Sequence, residues 1–269
     1  MRTILNPHRG TGFTTGFMDV PAPSVDAAAP RALLDRCPSH GVTPMVHALG
    51  MHIKDERGRM GLGSFKALGG AYAALRILQR ELSAWLGRDV AAAEIRSGAL
   101  AAEAAKITLV SATDGNHGRS LAWGAQMFGA PCRIYIHKDV SQGRADAMAA
   151  YGAHITRITG DYDASVALAR ADADANGWFV VSDTSWPGYS QPPRDVMSGY
   201  GVMTEEICDA LDRAPTHVFL QGGGAGNFVS GANYNMTNLN GQIGALRIDT
   251  RALDVIGKPI PQFASSIKG

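Results

Sequence analysis

Four short segments set chemically capable side chains among glycines. In GLGSFKALGG (61–70) a single lysine, Lys66, stands beside Phe65 at an expected helix start, where the positive helix end and apolar neighbours make an amine a usable nucleophile. In TDGNHG (113–118) Gly115 and Gly118 clear room for backbone N–H groups to face an anion. Asn116 adds an amide donor there, and Asp114 brings a charge. In SDTSWPGY (182–189) Asp183 follows an apolar run and neighbours Trp186 and Tyr189, a setting whose burial raises a carboxyl pKa toward acid–base use. In QGGGAG (221–226) the residues Gly222, Gly223, Gly224, Ala225 and Gly226 leave their amides bare, as in loops that cradle a phosphate.

Each segment has a plainer reading when taken alone: a solvated lysine, an Asp-Gly turn with an Asn cap, a loop-capping aspartate. His117 reads as a packed, hydrogen-bonded residue rather than a catalyst. The glycine loop is neither a G-x-G-x-x-G turn leading into a clear helix nor a P-loop with Lys-Ser/Thr, so a nucleotide is a weak reading. The order of the four is more specific than any member. A lysine that condenses with an aldehyde, an asparagine for a phenolic oxygen and a glycine cradle for one phosphate together describe pyridoxal 5'-phosphate.

The elements that must position these groups follow from periodicity. Apolar residues at Leu68, Tyr72, Leu75, Leu78 and Leu82 return at helical spacing, so a helix starts near Lys66 with Ser64 as its cap. From residue 107 strands alternate with helices: ITLV (107–110), a helix over 120–128 closed by Gly129, CRIYIH (132–137), and a helix over 144–151. HITRIT (154–159), a helix over 164–175, WFVVS (178–182), a helix over 196–211 and THVFLQ (216–221) follow. This is the pattern of parallel βαβ units, so the fold class is α/β. The first 40 residues read as an arm with little structure of its own, and after Gly226 the periodicity is lost.

Composition narrows the partners. The chain has 269 residues, 45% hydrophobic and 18% charged, enough for a sizeable core and too apolar for disorder. Lys plus Arg at 25 against Asp plus Glu at 24 gives a net charge of +1, too balanced to imply nucleic acid or an anionic membrane as the main partner. Three separated cysteines with no CxxC pair, and no signal-peptide core in MRTILNPHRG, fit a reduced cytoplasmic setting and small-molecule substrates.

SFKALGGAYA, SATDGNHGRSLAWGAQMFGA and SDTSWPGY followed by MSGY (197–200) resemble the diaminopropionate ammonia-lyases, within the fold type II, tryptophan-synthase-like pyridoxal-phosphate enzymes. The resemblance runs over residues 43–226. The Asp of TDGNHG separates this lyase from serine and threonine dehydratases, which tend to carry a small residue there. The resemblance implies Lys66 as the Schiff-base lysine, Asn116 as partner of the pyridoxal 3-oxygen, and Gly222, Gly223, Gly224, Ala225 and Gly226 as the phosphate cradle. It implies Asp114 and Asp183 as acid–base carboxylates for the two substrate enantiomers, in an elimination that turns 2,3-diaminopropionate into pyruvate and two ammonia. The implied architecture is two lobes: an arm and the start of the large lobe over 1–69, a small lobe over 70–168, the large lobe again over 169–226, and an atypical tail over 227–269. The large lobe is expected to be incomplete, the chain truncated or joined to foreign sequence after Gly226, and the assembly a homodimer. The alternatives are a serine or threonine dehydratase and a non-catalytic remnant of the fold.

Overall fold

The computed structural model describes residues 27–186, 188–213 and 215. The expected strand at 216–221, the glycine loop at 222–226 and the tail lie outside the described residues. A helix α1 (Ala28–Leu34) opens the described chain and is followed by an antiparallel hairpin, β1 (Met45–Ala48) and β2 (Met51–Lys54). Its two-residue tip, Leu49 and Gly50, has positive φ at both positions (54° and 72°), the primed turn whose twist matches paired strands. A 3₁₀ segment (Glu56–Gly61) then leads to α2 (Lys66–Leu86).

Beyond two short helices, α3 (Ala92–Arg96) and α4 (Ala101–Ala104), the alternation expected from sequence is present. It comprises β3 (Leu109–Ala112), α5 (Asn116–Phe128), β4 (Cys132–Ile136), α6 (Gln142–Ala149), β5 (His154–Arg157), α7 (Tyr162–Asn176), β6 (Phe179–Val180) and α8 (Gln191–Ala210). The four later strands form one all-parallel sheet in the order β5-β4-β3-β6. Successive residues of a strand face opposite sides, and both sides are covered. Leu109 and Ile134 join the main core, whereas Val110 and Tyr135 pack with Ala169 and Ala173 of α7.

Several boundaries differ from the periodicity reading. Ser64 does not cap α2; Phe65 holds the cap position and no side chain bonds the free amides. α5 begins at Asn116 rather than 120, because the amphipathic stripe used for the estimate starts one turn inside the helix. The C-terminal ends are closer to expectation, since Gly129 and Gly177 adopt left-handed backbone (φ 78° and 68°) that only glycine takes without strain. The arm contains α1, whose Arg31 bonds Glu205 and Asp209 on α8 at 3.3 and 3.1 Å.

The site depends most on how α2 meets α8. A Cβ at Gly199 would stand 2.4 Å from the Leu68 carbonyl oxygen, and one at Gly69 would stand 2.4 Å from the Tyr200 ring. The two helices therefore touch backbone to backbone one turn beyond Lys66, and bulk on either side would push the lysine-bearing helix away.

Candidate active site

Lys66 is the first residue of α2, and its Nζ lies 2.5 Å from Oδ2 of Asp183, which follows β6. Both side chains are 15% exposed, so the pair is largely desolvated and still reachable. The ammonium also lies 5.5 Å from the ring centres of Phe65 and Tyr200, which meet edge to face at 5.0 Å. Lys66 is thus held by one carboxylate and two aromatic rings.

The sequence reading expects burial to raise the Asp183 pKa, and the structure corrects this. Burial does push it upward, but the neighbouring His117 ring and the Lys66 ammonium, with the Lys66 hydrogen bond, outweigh burial and hold it below the usual carboxylate range. The aromatic neighbours assigned to Asp183 are engaged elsewhere. Trp186 stacks on Tyr189 with ring centres 3.8 Å apart, and the Arg170 guanidinium lies 4.3 Å from the Trp186 ring.

His117 is buried, as expected, with Nε2 2.8 Å from the Val181 carbonyl oxygen. That oxygen can only accept, so Nε2 carries the proton and Nδ1 presents a lone pair, for which there is no partner among the described residues. Burial and then Lys66 lower the His117 pKa, against an opposing pull from Asp183. The Tyr200 hydroxyl is likewise buried and without a partner among the described residues, and its ionisation is pushed far up by burial and by Asp183. Sequence reading singled out neither the Tyr200 hydroxyl nor Tyr162, the first residue of α7. Burial raises the Tyr162 hydroxyl to about 12, and the negative charges of Asp183 and Asp114 add to the shift.

Asn116 heads α5 and, with Gly63, Ser64 and Phe65, walls a cavity of about 460 Å³ whose other side is formed by Val46 and Ile53 of the hairpin. Gly115 before it adopts φ 152°, but the turn does not leave its amides free as expected: the N–H groups of Gly115 and Gly118 donate to Thr113 Oγ1 at 3.2 and 3.4 Å. Asp114 is placed differently from Asp183. Its carboxylate is 59% exposed and its Oδ1 lies 3.0 Å from Nε2 of His137 at the end of β4. Of the three candidate catalytic groups, the structure brings Lys66 and Asp183 into contact and sets Asp114 at a neighbouring strand end. Gly222, Gly223, Gly224, Ala225 and Gly226 lie outside the described residues.

Behind Lys66 the structure holds a charged cluster that composition does not reveal. Arg59 is fully buried. Its two terminal nitrogens bond both carboxylate oxygens of Glu206 on α8, at 2.8 and 2.6 Å, and its Nε bonds Glu56 at 2.8 Å. Lys54 reaches Glu206 at 2.6 Å and donates to the Thr43 carbonyl oxygen at 2.7 Å. This network fastens the stretch that leads into Lys66 onto α8.

Residues 37–269 match the model of the family described as pyridoxal-phosphate dependent enzyme. The chain belongs to that family. Among curated relatives it is 35% identical over 193 residues to the diaminopropionate ammonia-lyase of Salmonella typhimurium, covering 69% of this chain and 48% of the relative. It is 38% identical over 174 residues to that of Escherichia coli K12, covering 64% of this chain and 42% of the relative. The crystal structure of the Escherichia coli diaminopropionate ammonia-lyase in apo form superposes with a TM-score of 0.71 at 32% identity, over 78% of this chain and 59% of that one. The chain therefore spans about half the length of the curated relatives it matches. Its α/β architecture is that of the fold type II members of the family.

Proposed function

We propose that the protein binds pyridoxal 5'-phosphate at Lys66 and eliminates ammonia from 2,3-diaminopropionate, releasing pyruvate and two ammonia. The observation that carries the reading is the Lys66–Asp183 contact at the head of α2, an amine and a carboxylate at 2.5 Å with aromatic rings behind them. The described residues fit the cofactor: a partly accessible lysine amine, an asparagine at the rim of a cavity, and two buried polar atoms, His117 Nδ1 and Tyr200 Oη, that lack partners. Lys66 would hold it covalently, Asn116 would donate to its 3-oxygen, and Gly222, Gly223, Gly224, Ala225 and Gly226 would cradle its phosphate. When bound, pyridoxal phosphate supplies an electron sink for charge that develops at the substrate Cα.

The chain's own residues then perform the proton transfers. A neutral Lys66 amine removes part of what holds the Asp183 pKa down, His117 supplying the rest, and burial then makes that carboxylate a stronger base at the place where a Cα proton must be accepted. Opposite enantiomers present that proton to opposite faces, so one carboxylate cannot serve both. Asp114, from a different strand end, is the proposed base for the second enantiomer. Two aspartates also favour a substrate with a 3-ammonium over one with a 3-hydroxyl, by charge complementarity. The two lobes, with the small one over about 70–168, the homodimer and the cytoplasmic location belong to the same reading. It is supported by identities of 35% and 38% to diaminopropionate ammonia-lyases.

The test is a substrate panel on the purified protein with added pyridoxal phosphate. Pyruvate and ammonia from 2,3-diaminopropionate, well above any from serine and without 2-oxobutyrate from threonine, is the expected result. Preference for serine or threonine would make the protein a dehydratase.

A further inference from the structure

We propose that His137, which no sequence motif marks, is the positioning residue for Asp114. His137 follows β4 and Asp114 follows β3, which pair in parallel, so the register carries the two side chains to the same edge of the sheet. The imidazole Nε2 lies 3.0 Å from Asp114 Oδ1. The other ring nitrogen settles which atom holds the proton. The backbone N–H of Asp139 donates to Nδ1 at 3.3 Å, so Nδ1 carries a lone pair and the proton sits on Nε2, pointing at Asp114.

The remaining surroundings are consistent with a ring held in that orientation. His137 is 17% exposed while Asp114 is 59% exposed, so the histidine is the anchored partner and the carboxylate the mobile one. The Asp139 carboxylate stands 3.7 Å from Nδ1 on the far side. On the loop side, the Arg144 stem packs 3.3 Å from the position a Cβ would take on Gly115, beside Asp114. Without the imidazole, the Asp114 side chain would have no protein donor among the described residues and would sample many rotamers. The inference rests on Asp114 being an acid–base carboxylate, and its role is confined to aiming that group.

Two measurements on the full chain decide it. In nitrogen-15 spectra of the histidine rings, taken at a pH where His137 is neutral and assigned through His137→Gln, the Nε2–H tautomer is expected, and Asp114→Ala should shift the Nε2 signal. An Nδ1–H tautomer, or no response to Asp114→Ala, would overturn the pair without reference to catalysis. In kinetics with pyridoxal phosphate, His137→Phe should lose about tenfold on the enantiomer of 2,3-diaminopropionate that Asp114→Asn impairs, the scale of one charge-assisted hydrogen bond. It should leave the other enantiomer within about twofold, and His137→Gln, whose amide can still donate from a similar position, should recover most of the loss. If Asp114→Asn is selective and His137→Phe is not, the positioning role fails while the base assignment stands. If Asp114→Asn itself shows no enantiomer preference, the base assignment has failed and the positioning role falls with it.

Discussion

Lys66 Nζ and Asp183 Oδ2 are 2.5 Å apart although 117 residues separate them in the chain. In Lys66→Met the Asp183 carboxylate keeps its burial and loses its ammonium, so its pKa should move up from its present depressed value. Carbon-13 titration of the Asp183 carboxyl reads this directly, and an unmoved midpoint would show that Lys66 is not what holds it down. Removing one partner of this mostly buried pair should also cost about 2 kcal/mol of stability, below the usual 3–5 because both groups keep some water. Lys66→Met with Asp183→Leu should recover part of that.

The network around Arg59 should matter more for folding than the Lys66–Asp183 pair. Arg59→Met leaves Glu206 and Glu56 buried without their main donor, and urea unfolding should show a loss of about 3–5 kcal/mol. A loss under 1 kcal/mol would mean that water or Lys54 takes over the vacated bonds.

The same network fixes a pH dependence. Burial alone would raise the Glu206 pKa, but the bonds from Arg59 and Lys54 outweigh it and the folded value lies below the ordinary 4.5. A depressed folded pKa means that the stabilisation is complete above the unfolded value and is lost as pH falls through the folded one. Wild-type stability should therefore decline below about pH 4.5 more steeply than that of Glu206→Gln. Parallel acid limbs for the two proteins would contradict this.

Helix contact at the site can be tested with two glycines. Gly199→Ala forces a Cβ against the Leu68 carbonyl and should destabilise by about 2 kcal/mol, with weaker retention of pyridoxal phosphate as α2 is pushed aside. Gly143→Ala, in the first turn of α6 with open space around it, should instead be neutral or stabilise by about 0.5 kcal/mol. Equal effects would show that the α2–α8 approach is looser than described.

These outcomes mark the boundary between what was legible in the sequence and what was not. The alternating units are readable because Gly129 and Gly177 end helices by a backbone conformation that few other residues adopt, and because strands such as CRIYI are short runs rich in β-branched and aromatic residues, buried on both faces. Of the four site segments, 61–70 and 182–189 meet at the Lys66–Asp183 contact, and Gly69 in the first of them marks the close approach to α8. The hairpin carries Val46, Leu49, Met51 and Ile53 exposed, so no alternation between core and solvent betrays it. Arg59 could not have been found, since arginine is buried only when paired and its partner Glu206 lies 147 residues away. The direction of the Asp183 shift is not legible locally, because the segment shows the aromatic neighbours of the loop but not His117 and Lys66, which reach it from α5 and α2.

The two aspartates provide a sharper kinetic test. Asp183→Asn and Asp114→Asn should each impair mainly one enantiomer of 2,3-diaminopropionate by about 10²-fold or more, the cost of removing a general base. Equal losses on both enantiomers for both variants would leave the aspartates as charge clamps for the leaving ammonium.

The account stands most directly on Lys66 as the residue that carries the cofactor. Purified protein is incubated with pyridoxal phosphate, reduced with borohydride, digested, and searched by mass spectrometry for a lysine bearing the reduced cofactor. The account predicts the adduct on Lys66 and its disappearance in a folded Lys66→Ala variant. An adduct of equal yield on another lysine, or none on a folded chain saturated with pyridoxal phosphate, would contradict it.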